Sequence, residues 1–160
     1  MPQYVANVQA TSNSSANTED VFIELKAPAN VTFKVKRVRA GFSDGTDTAG
    51  IDNHFRIKLA RWDTTTAGSA TTFTPIARNQ NAPASILTSA KIKNGTTALA
   101  LGTGTVTIVD LISVNGRALY EWLARDEDDY IVVKPAGCFA VVLQSSVVSQ
   151  KFTVSCDWVE

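Results

Sequence analysis

The chain has 160 residues, which is enough for one domain with its own hydrophobic core. Hydrophobic residues make up 44% of it and charged residues 19%, and 15 basic residues balance 15 acidic ones. A chain without net charge has no long-range field to hold nucleic acid or an anionic membrane, and no segment approaches the length of a membrane-spanning helix. The N-terminus lacks the charged and apolar regions of a secretory signal, so we expect a protein that folds in the cytoplasm.

The main structural signal is a series of short segments rich in Val, Ile, Phe and Thr. Clusters of Gly, Pro, Asn, Asp, Ser and Thr separate them, a pattern that predicts β-strands joined by turns. The predicted strands cover residues 4–9, 20–26, 31–42, 53–62, 97–101, 105–114, 130–134, 137–145 and 151–160.

Residues 1–19 are mostly polar, with one short apolar patch around Tyr4, Val5 and Val8. We expect them to form a flexible N-terminal arm; an edge strand or an arm exchanged with a neighbouring subunit are the alternatives. Residues 20–160 then form a single β-sandwich domain.

The strand predicted at residues 31–42 contains a break in its alternation. Phe33 and Val35 set an inward phase, and Val38 and Ala40 resume it after a slip of one residue at Arg37. A β-bulge produces such a slip, and so does a strand that bends from one sheet of a jelly roll to the other.

Two later segments depart from the strand pattern. Residues 73–92 contain two prolines and read as a mostly irregular tract, which is a candidate contact surface because long ordered loops are often functional. Residues 117–125 predict a short helix, since Leu119, Trp122 and Leu123 would share one helix face.

Eight or nine strands with irregular connections and one short helix favour an all-β fold with antiparallel sheets. A jelly-roll-like β-sandwich is our first choice and an immunoglobulin-like sandwich the second. Cys138 and Cys156 lie in apolar strand patterns, and we expect two reduced core thiols, with a disulfide between neighbouring strands as the alternative.

Catalytic signals are weak. The single histidine, His54, falls on the outward phase of its predicted strand, without the carboxylate and nucleophile that a catalytic imidazole needs. Asp44, Asp47 and Asp52 share a glycine-containing loop and are candidate calcium ligands, although ordinary turn formation also accounts for them. We therefore expect no enzyme activity, no cofactor and no bound metal.

Charged residues supply the candidates for protein contacts. Basic side chains point outward on two consecutive predicted strands, and a shared sheet would unite them in one positive patch. They are Lys34, Lys36 and Arg39 on the first strand and Arg56 and Lys58, beside His54, on the second. The densest acidic run consists of Asp126, Glu127, Asp128 and Asp129. It predicts a solvated turn, with calcium binding and docking onto a basic surface as the alternatives.

A single-strand nucleic acid binder would interleave exposed aromatics with its basic residues, which this chain does not do. Basic and acidic surfaces on one neutral molecule favour complementary contact between protein subunits over nucleic acid binding. The aromatic residues are mainly core candidates, and among them Trp62 is the one placed to reach an interface.

The order of several segments along the chain resembles that of a known class of proteins. The chain runs from VFIELKAPANVTFKVKRVRAGFSDG through DNHFRIKLARW to a Thr/Ala/Gly loop, FTPIA and NAPAS. It ends with two apolar strands around KPAG and a last strand that runs into CDWVE. Over most of its length this arrangement resembles the head decoration, or cement, proteins of tailed bacteriophages.

The resemblance implies a jelly-roll or β-sandwich fold and a homotrimer. It implies binding to the outside of an assembled icosahedral capsid, which such proteins reinforce against the pressure of packaged DNA. The partner would be the major capsid protein of a phage shell, and the location the exterior of the virion after synthesis in a bacterial host. No catalytic residue is implied.

The main alternative is a carbohydrate- or receptor-binding module, such as the tip of a tail fibre or a lectin-like jelly roll. Such a module would use an exposed aromatic platform, for which Trp62 and the loop of residues 63–72 are the candidates. A cupin-like enzyme is disfavoured, because its metal site would need several histidines and the chain has one.

Overall fold

The computed structural model describes residues 1–12, 17–42, 54–62, 71–94, 104–116, 118–145 and 150–160. Twelve β-strands and no helix occur in these ranges. The strands are β1 (Gln3–Thr11), β2 (Glu19–Lys26), β3 (Phe33–Phe42), β4 (His54–Trp62), β5 (Thr71–Thr72), β6 (Ile76–Ala77), β7 (Ser89–Ile92), β8 (Val106–Asn115), β9 (Tyr120–Leu123), β10 (Ile131–Val133), β11 (Cys138–Ser145) and β12 (Lys151–Val159).

The strands form two antiparallel sheets that pack as a sandwich. Sheet A has the order β10-β3-β12-β1-β6, and β9 pairs with β3 on the same side as β10. Sheet B has the order β5-β7-β2-β11-β4-β8. The predicted all-β fold with antiparallel sheets is confirmed, with more and shorter strands than the eight or nine that we expected.

The core lies between the sheets and is built from the inward side chains of each strand. Phe152 of sheet A meets Phe22 and Phe55 of sheet B at ring-centroid distances of 5.7 and 5.2 Å. Trp158 stacks on Tyr4 at 5.9 Å. These rings are almost fully buried, and each such side chain contributes about 1.5–3 kcal/mol through the hydrophobic effect.

The N-terminal residues form part of this framework. Residues 3–11, within the segment that we expected to be a flexible or exchanged arm, form β1 and pair with β12 along their whole length. The short strand predicted at residues 4–9 is confirmed and extends further than expected. Tyr4 and Val8 face the core, while Asn7 and Gln9 face outward. The outward polar residues made the segment look like a polar tail, although alternation with apolar residues is typical of a half-buried strand. Residues 13–16 lie outside the described ranges.

The slip in the alternation of β3 is a β-bulge within sheet A. Val35 lies opposite Trp158 and Arg37 opposite Asp157, so that Lys36 is the extra residue. The bulge prediction is confirmed, and the alternative of a strand that changes sheets does not apply, because β3 pairs with β12 on both sides of the bulge.

The helix predicted at residues 117–125 is wrong, because the structure has strand β9 there. Tyr120 and Trp122 alternate toward the core, and Glu121 lies opposite Arg39 on the outer face. Leu119 and Leu123, which seemed to complete a helix face, are exposed instead. Pairing with β3 determines the conformation, and the helical spacing of three residues was a coincidence.

The tract of residues 73–92 contains short strands that its prolines concealed. β6 pairs with β1, and β7 pairs with β2 and β5. The long connection therefore runs along the edges of both sheets. The strand predicted at residues 97–101 lies outside the described residues.

The two cysteines are free and belong to different sheets, Cys156 to β12 of sheet A and Cys138 to β11 of sheet B. Cys156 belongs to the main core between the sheets. Phe139 also faces that core, so alternation along β11 sends its neighbour Cys138 to the outer face of sheet B. Both thiols are buried, as expected, and a disulfide between them does not fit this arrangement.

Candidate interaction surfaces

The predicted basic residues lie on opposite faces of the sandwich. Lys34, Lys36 and Arg39 belong to β3 of sheet A, whereas Arg56 and Lys58 belong to β4 of sheet B. The single positive patch required both strands in one sheet, so it does not form.

Ion pairs reduce the positive character of both faces further. On sheet A, Arg39 Nε donates to Glu121 Oε1 at 2.7 Å, and both side chains are substantially exposed. On sheet B, Lys58 Nζ donates to Glu19 Oε2 at 2.5 Å. The exposed pair of Arg39 and Glu121 contributes about 0–1 kcal/mol to stability, so it affects the surface charge more than the stability of the fold.

A tighter charge cluster on sheet A was not predicted. Asp157 is mostly buried and accepts from Arg37 Nε at 2.7 Å and from Arg78 Nη2 at 2.8 Å. Lys36 and Leu123 help to line the depression beside it. The sequence signal was weak, since Arg37 was assigned only to the bulge and Arg78 to an irregular tract, and their common partner is far from both in the sequence.

The acidic run forms a turn at the edge of sheet A. It connects β9 to β10, and Asp126 Oδ1 accepts from the backbone N–H groups of Asp128 at 3.0 Å and Asp129 at 3.3 Å. The side chains of Asp126, Glu127, Asp128 and Asp129 are all exposed. Asp126 therefore shapes the turn, and the other three carboxylates face solvent.

Trp62 lies inside the protein. It is 1% exposed and belongs to a second apolar cluster on the outer face of sheet B, with Val21, Cys138, Ala140 and Val142. The sequence correctly marked Trp62 as a core candidate, whereas its assignment to an interface is not supported by this burial. It also offers no exposed face on which a sugar ring could stack.

Exposed apolar residues are concentrated on one side of the sandwich. Of the twelve large hydrophobic side chains that are exposed in the described ranges, five lie on β8. They are Val106, Ile108, Val109, Leu111 and Ile112. A further three lie on or next to β9 and β10, namely Leu119, Leu123 and Val132. We call these eight residues the apolar side.

Two contacts hold the strands of the apolar side together across the two sheets. Tyr120 Oη of β9 donates to Asp110 Oδ2 of β8 at 2.5 Å. Burial is the main cause that raises the pKa of Tyr120, and the hydrogen bond to Asp110 adds to it. Arg61 Nη1 of β4 donates to the carbonyl oxygen of Val132 in β10 at 2.9 Å.

The remaining candidates for chemistry do not assemble into a site within the described ranges. His54 is exposed at the start of β4. No three His, Cys, Asp or Glu side chains in these ranges come together as they would around a metal ion. Asp44, Asp47 and Asp52 lie outside the described residues.

Comparisons with known proteins give no relative: no family model, no curated protein and no solved structure matches this chain. Among the described residues, no helix is long and apolar enough to cross a membrane.

Proposed function

We propose that the chain is a non-enzymatic structural protein of a phage particle. In this role it binds the outer surface of an assembled capsid as a homo-oligomer, and it stabilises the shell. The proposal combines the resemblance to head decoration proteins with a jelly-roll-like reading of the sandwich.

The observation that carries this proposal is the apolar side. Monomeric proteins rarely expose large contiguous apolar areas, and such areas are typical of surfaces that bind other proteins. Here eight exposed apolar side chains lie along the edge formed by β8, β9 and β10, where hydrogen bonds of Tyr120 and Arg61 link the two sheets. A protein that works by assembly needs such a surface.

The acidic turn is the element that we assign to the shell. It projects from the same edge of sheet A, between β9 and β10, and its exposed carboxylates suit a basic patch on a capsid protein. Contacts between charged rims mainly set the rate and specificity of association, so the turn would select the partner.

The stabilising mechanism is mass action. A protein that binds only the assembled shell shifts the equilibrium between shell and free subunits toward the shell, by an amount that grows with its concentration relative to its dissociation constant. No catalytic residue is needed for this activity.

The carbohydrate-binding alternative loses its main candidate. A stacking platform requires an exposed aromatic face, and Trp62 is buried in the second apolar cluster. The described part of the loop proposed beside it consists of Thr71 and Thr72, which form β5.

The test is co-sedimentation of the purified chain with empty phage heads from the organism that encodes it. We expect saturable binding to heads, a higher temperature of head disassembly, and little binding to free capsid subunits. The double variant Glu127→Lys/Asp129→Lys keeps the turn-forming Asp126 and should bind heads more weakly, especially at low salt. Lys151→Glu, an exposed charge reversal on β12, is the control. No binding of the unmodified chain would overturn the proposal.

A further inference from the structure

Strand β8 is unusual for an edge strand. In the described part of the chain it pairs with β4 alone, so the backbone groups along its other side face outward from sheet B. It is ten residues long, and its exposed apolar side chains lie on both faces of the sheet. Ile108 and Leu111 share the outer face with Ala60 and Lys58, while Ile112 lies opposite Ile57, which faces the core.

This pattern is typical of a central strand. Strands covered on both faces read as nearly continuous apolar runs, whereas edge strands of stable monomers are usually short, charged or polar on the exposed side. β1 shows the contrast within this chain. It extends beyond β6 as a free edge in the described residues, and there it has polar outward residues such as Asn7 and Gln9.

We propose that β8 pairs antiparallel with β8 of a second copy of this chain, about a two-fold axis. The two copies of sheet B then form one continuous sheet across the subunit boundary. The backbone groups along the outward edge of β8 then hydrogen-bond to the second copy, and the side chains of the added strand pack beside the exposed apolar residues of β8 on each face.

Strand length favours a second copy as the partner. The other edges in the described ranges are short or polar: β5 and β6 have two residues each, β10 has three, β7 and β9 have four, and the longer free edge of β1 carries Asn7 and Gln9 outward. Among the described strands, β8 alone has a long edge with apolar side chains on both faces, and a strand that pairs along β8 needs the same two properties. A two-fold interface meets this requirement because it presents the same surface from both sides.

The charge of β8 permits the pairing. Its single ionisable residue is Asp110, which already accepts a hydrogen bond from Tyr120 of its own chain. A bulge near Val109 interrupts the strand, so residues 110–115 form its regular part. A two-fold axis at Ile112 places Asp110 opposite Val114 of the second copy, and the two carboxylates stay apart.

The inference is independent of the capsid. A two-fold contact gives a dimer, or a hexamer where it is combined with the threefold contacts that the resemblance implies. Binding to heads can therefore fail while the β8 contact stands. Conversely, a trimer that binds heads without β8 pairing would support the proposed function and overturn this inference.

Disulfide trapping along β8 is the decisive experiment. In a two-fold antiparallel pair the residue on the axis faces itself, with a Cα–Cα distance of about 4.5–5.5 Å, which a disulfide can bridge. We expect Leu111→Cys, Ile112→Cys or Ser113→Cys to give one sharp maximum of oxidised dimer. The native thiols do not interfere, since Cys138 and Cys156 are buried.

Ile108→Cys is the matched control, because Ile108 is as exposed as Ile112 on the same strand. With the axis at Ile112 its two copies lie about 27 Å apart, which is too far for a disulfide. Ile76→Cys on β6 gives the rate of random collision. Equal trapping at all five positions, or trapping no faster than at Ile76, overturns the inference.

Solution mass provides the second measurement. Light scattering should give an even multiple of 17.2 kDa for the unmodified chain. Ile112→Lys should halve that multiple, because a lysine on an edge strand opposes pairing, while Ile76→Lys should leave it unchanged. Circular dichroism checks that both variants keep the β-fold. A monomer in the unmodified chain at every concentration contradicts the pairing.

Discussion

At the scale of single residues, the most consequential contact is a buried ion pair between β2 and the residue after β7. Lys93 Nζ lies 2.7 Å from Asp20 Oδ2, and the two side chains are 0% and 1% exposed. Lys93 also lies over the ring of Phe22, with Nζ 5.8 Å from its centroid. Removing two charges from water is costly, so such a pair mainly makes the structure intolerant of losing one partner.

The buried pair gives the first prediction. Lys93→Met leaves the buried Asp20 carboxylate without this cation and should lower the free energy of unfolding by about 3–5 kcal/mol. The double variant Asp20→Leu/Lys93→Met removes both charges and should regain much of that loss. Urea unfolding at constant pH measures both, with the exposed Lys151→Met as control. A double variant no more stable than Lys93→Met would show that the lost packing of the Lys93 side chain, and not the loss of its charge beside Asp20, causes the decrease.

The Cys138 thiol gives a prediction about alkaline pH. Burial and, secondarily, the charge of Glu24 raise its pKa to about 11, above the usual value near 9. In the unfolded chain the thiol loses its proton first, so its contribution to stability is complete below pH 9 and disappears between pH 9 and 11. One such group changes the free energy of unfolding by up to about 1.4 kcal/mol per pH unit.

Cys138→Ala removes the titrating thiol, so the free energy of unfolding should decline less steeply between pH 9 and 11. The measurement is a set of urea titrations from pH 7 to 11 on both proteins. The quantity compared is the slope of the free energy of unfolding against pH in the two proteins. Burial also raises the pKa values of Tyr4, Tyr120 and Cys156, but these groups contribute equally to both proteins and cancel in the comparison. Parallel curves over the whole range would contradict the assignment.

At the scale of elements, the turn between β10 and β11 carries a conformational strain that its sequence hides. The Gly137 N–H donates to the carbonyl oxygen of Lys134 at 2.9 Å, with Pro135 and Ala136 between them. Ala136 has a φ of 60°, which belongs to the left-handed region, where glycine is favoured. Gly137 has another role, since a Cβ there would lie 2.9 Å from the Lys134 oxygen.

Substitutions at the two neighbouring residues should therefore have opposite effects. Ala136→Gly should raise the free energy of unfolding by up to about 1 kcal/mol, because it relieves the left-handed alanine. Gly137→Ala should lower it by about 1–3 kcal/mol through crowding of the backbone. Thermal and urea unfolding measure both. If Ala136→Gly is destabilising, as it is at ordinary φ values, the turn has a different conformation.

The elements also show what the sequence could predict. The strands β4, β11 and β12 were predicted closely, because their alternation or apolar runs are properties of the segments themselves. β9 was missed because a four-residue strand fits a helical spacing equally well, and pairing with β3 decides between them. Strand pairing is a property of two distant segments, which no single segment encodes.

The candidate surfaces were predicted less well for the same reason. The basic residues of β3 and β4 were identified correctly as outward-facing, but the sheet to which each strand belongs depends on β12 and β11. The exposed edge of β8 was likewise hidden. The sequence predicted a strand at residues 105–114 but not its position, and the topology places β8 at the end of sheet B.

At the scale of the whole molecule, two chemically different contact surfaces lie at one edge of the sandwich, namely the apolar side and the acidic turn between β9 and β10. The chain has no net charge, its outer faces have ion pairs, and eight of the twelve large hydrophobic side chains exposed in the described ranges belong to the apolar side. Association through the apolar side should depend on burial and backbone hydrogen bonds, whereas association through the acidic turn should depend on charge. Salt distinguishes these contributions, since it screens exposed charges but does not weaken apolar burial.

We therefore expect the oligomer to persist in high salt, and binding to phage heads to weaken. Light scattering at about 0.05 M and 1 M salt measures the first, because the Debye length falls to about 3 Å at 1 M. Co-sedimentation under the same conditions measures the second. Dissociation of the oligomer by salt would assign its contacts to charged groups and exclude β8 as the main contact. A mass of three times 17.2 kDa at both salts would support the trimer that the resemblance implies, against the even-numbered assembly that β8 favours.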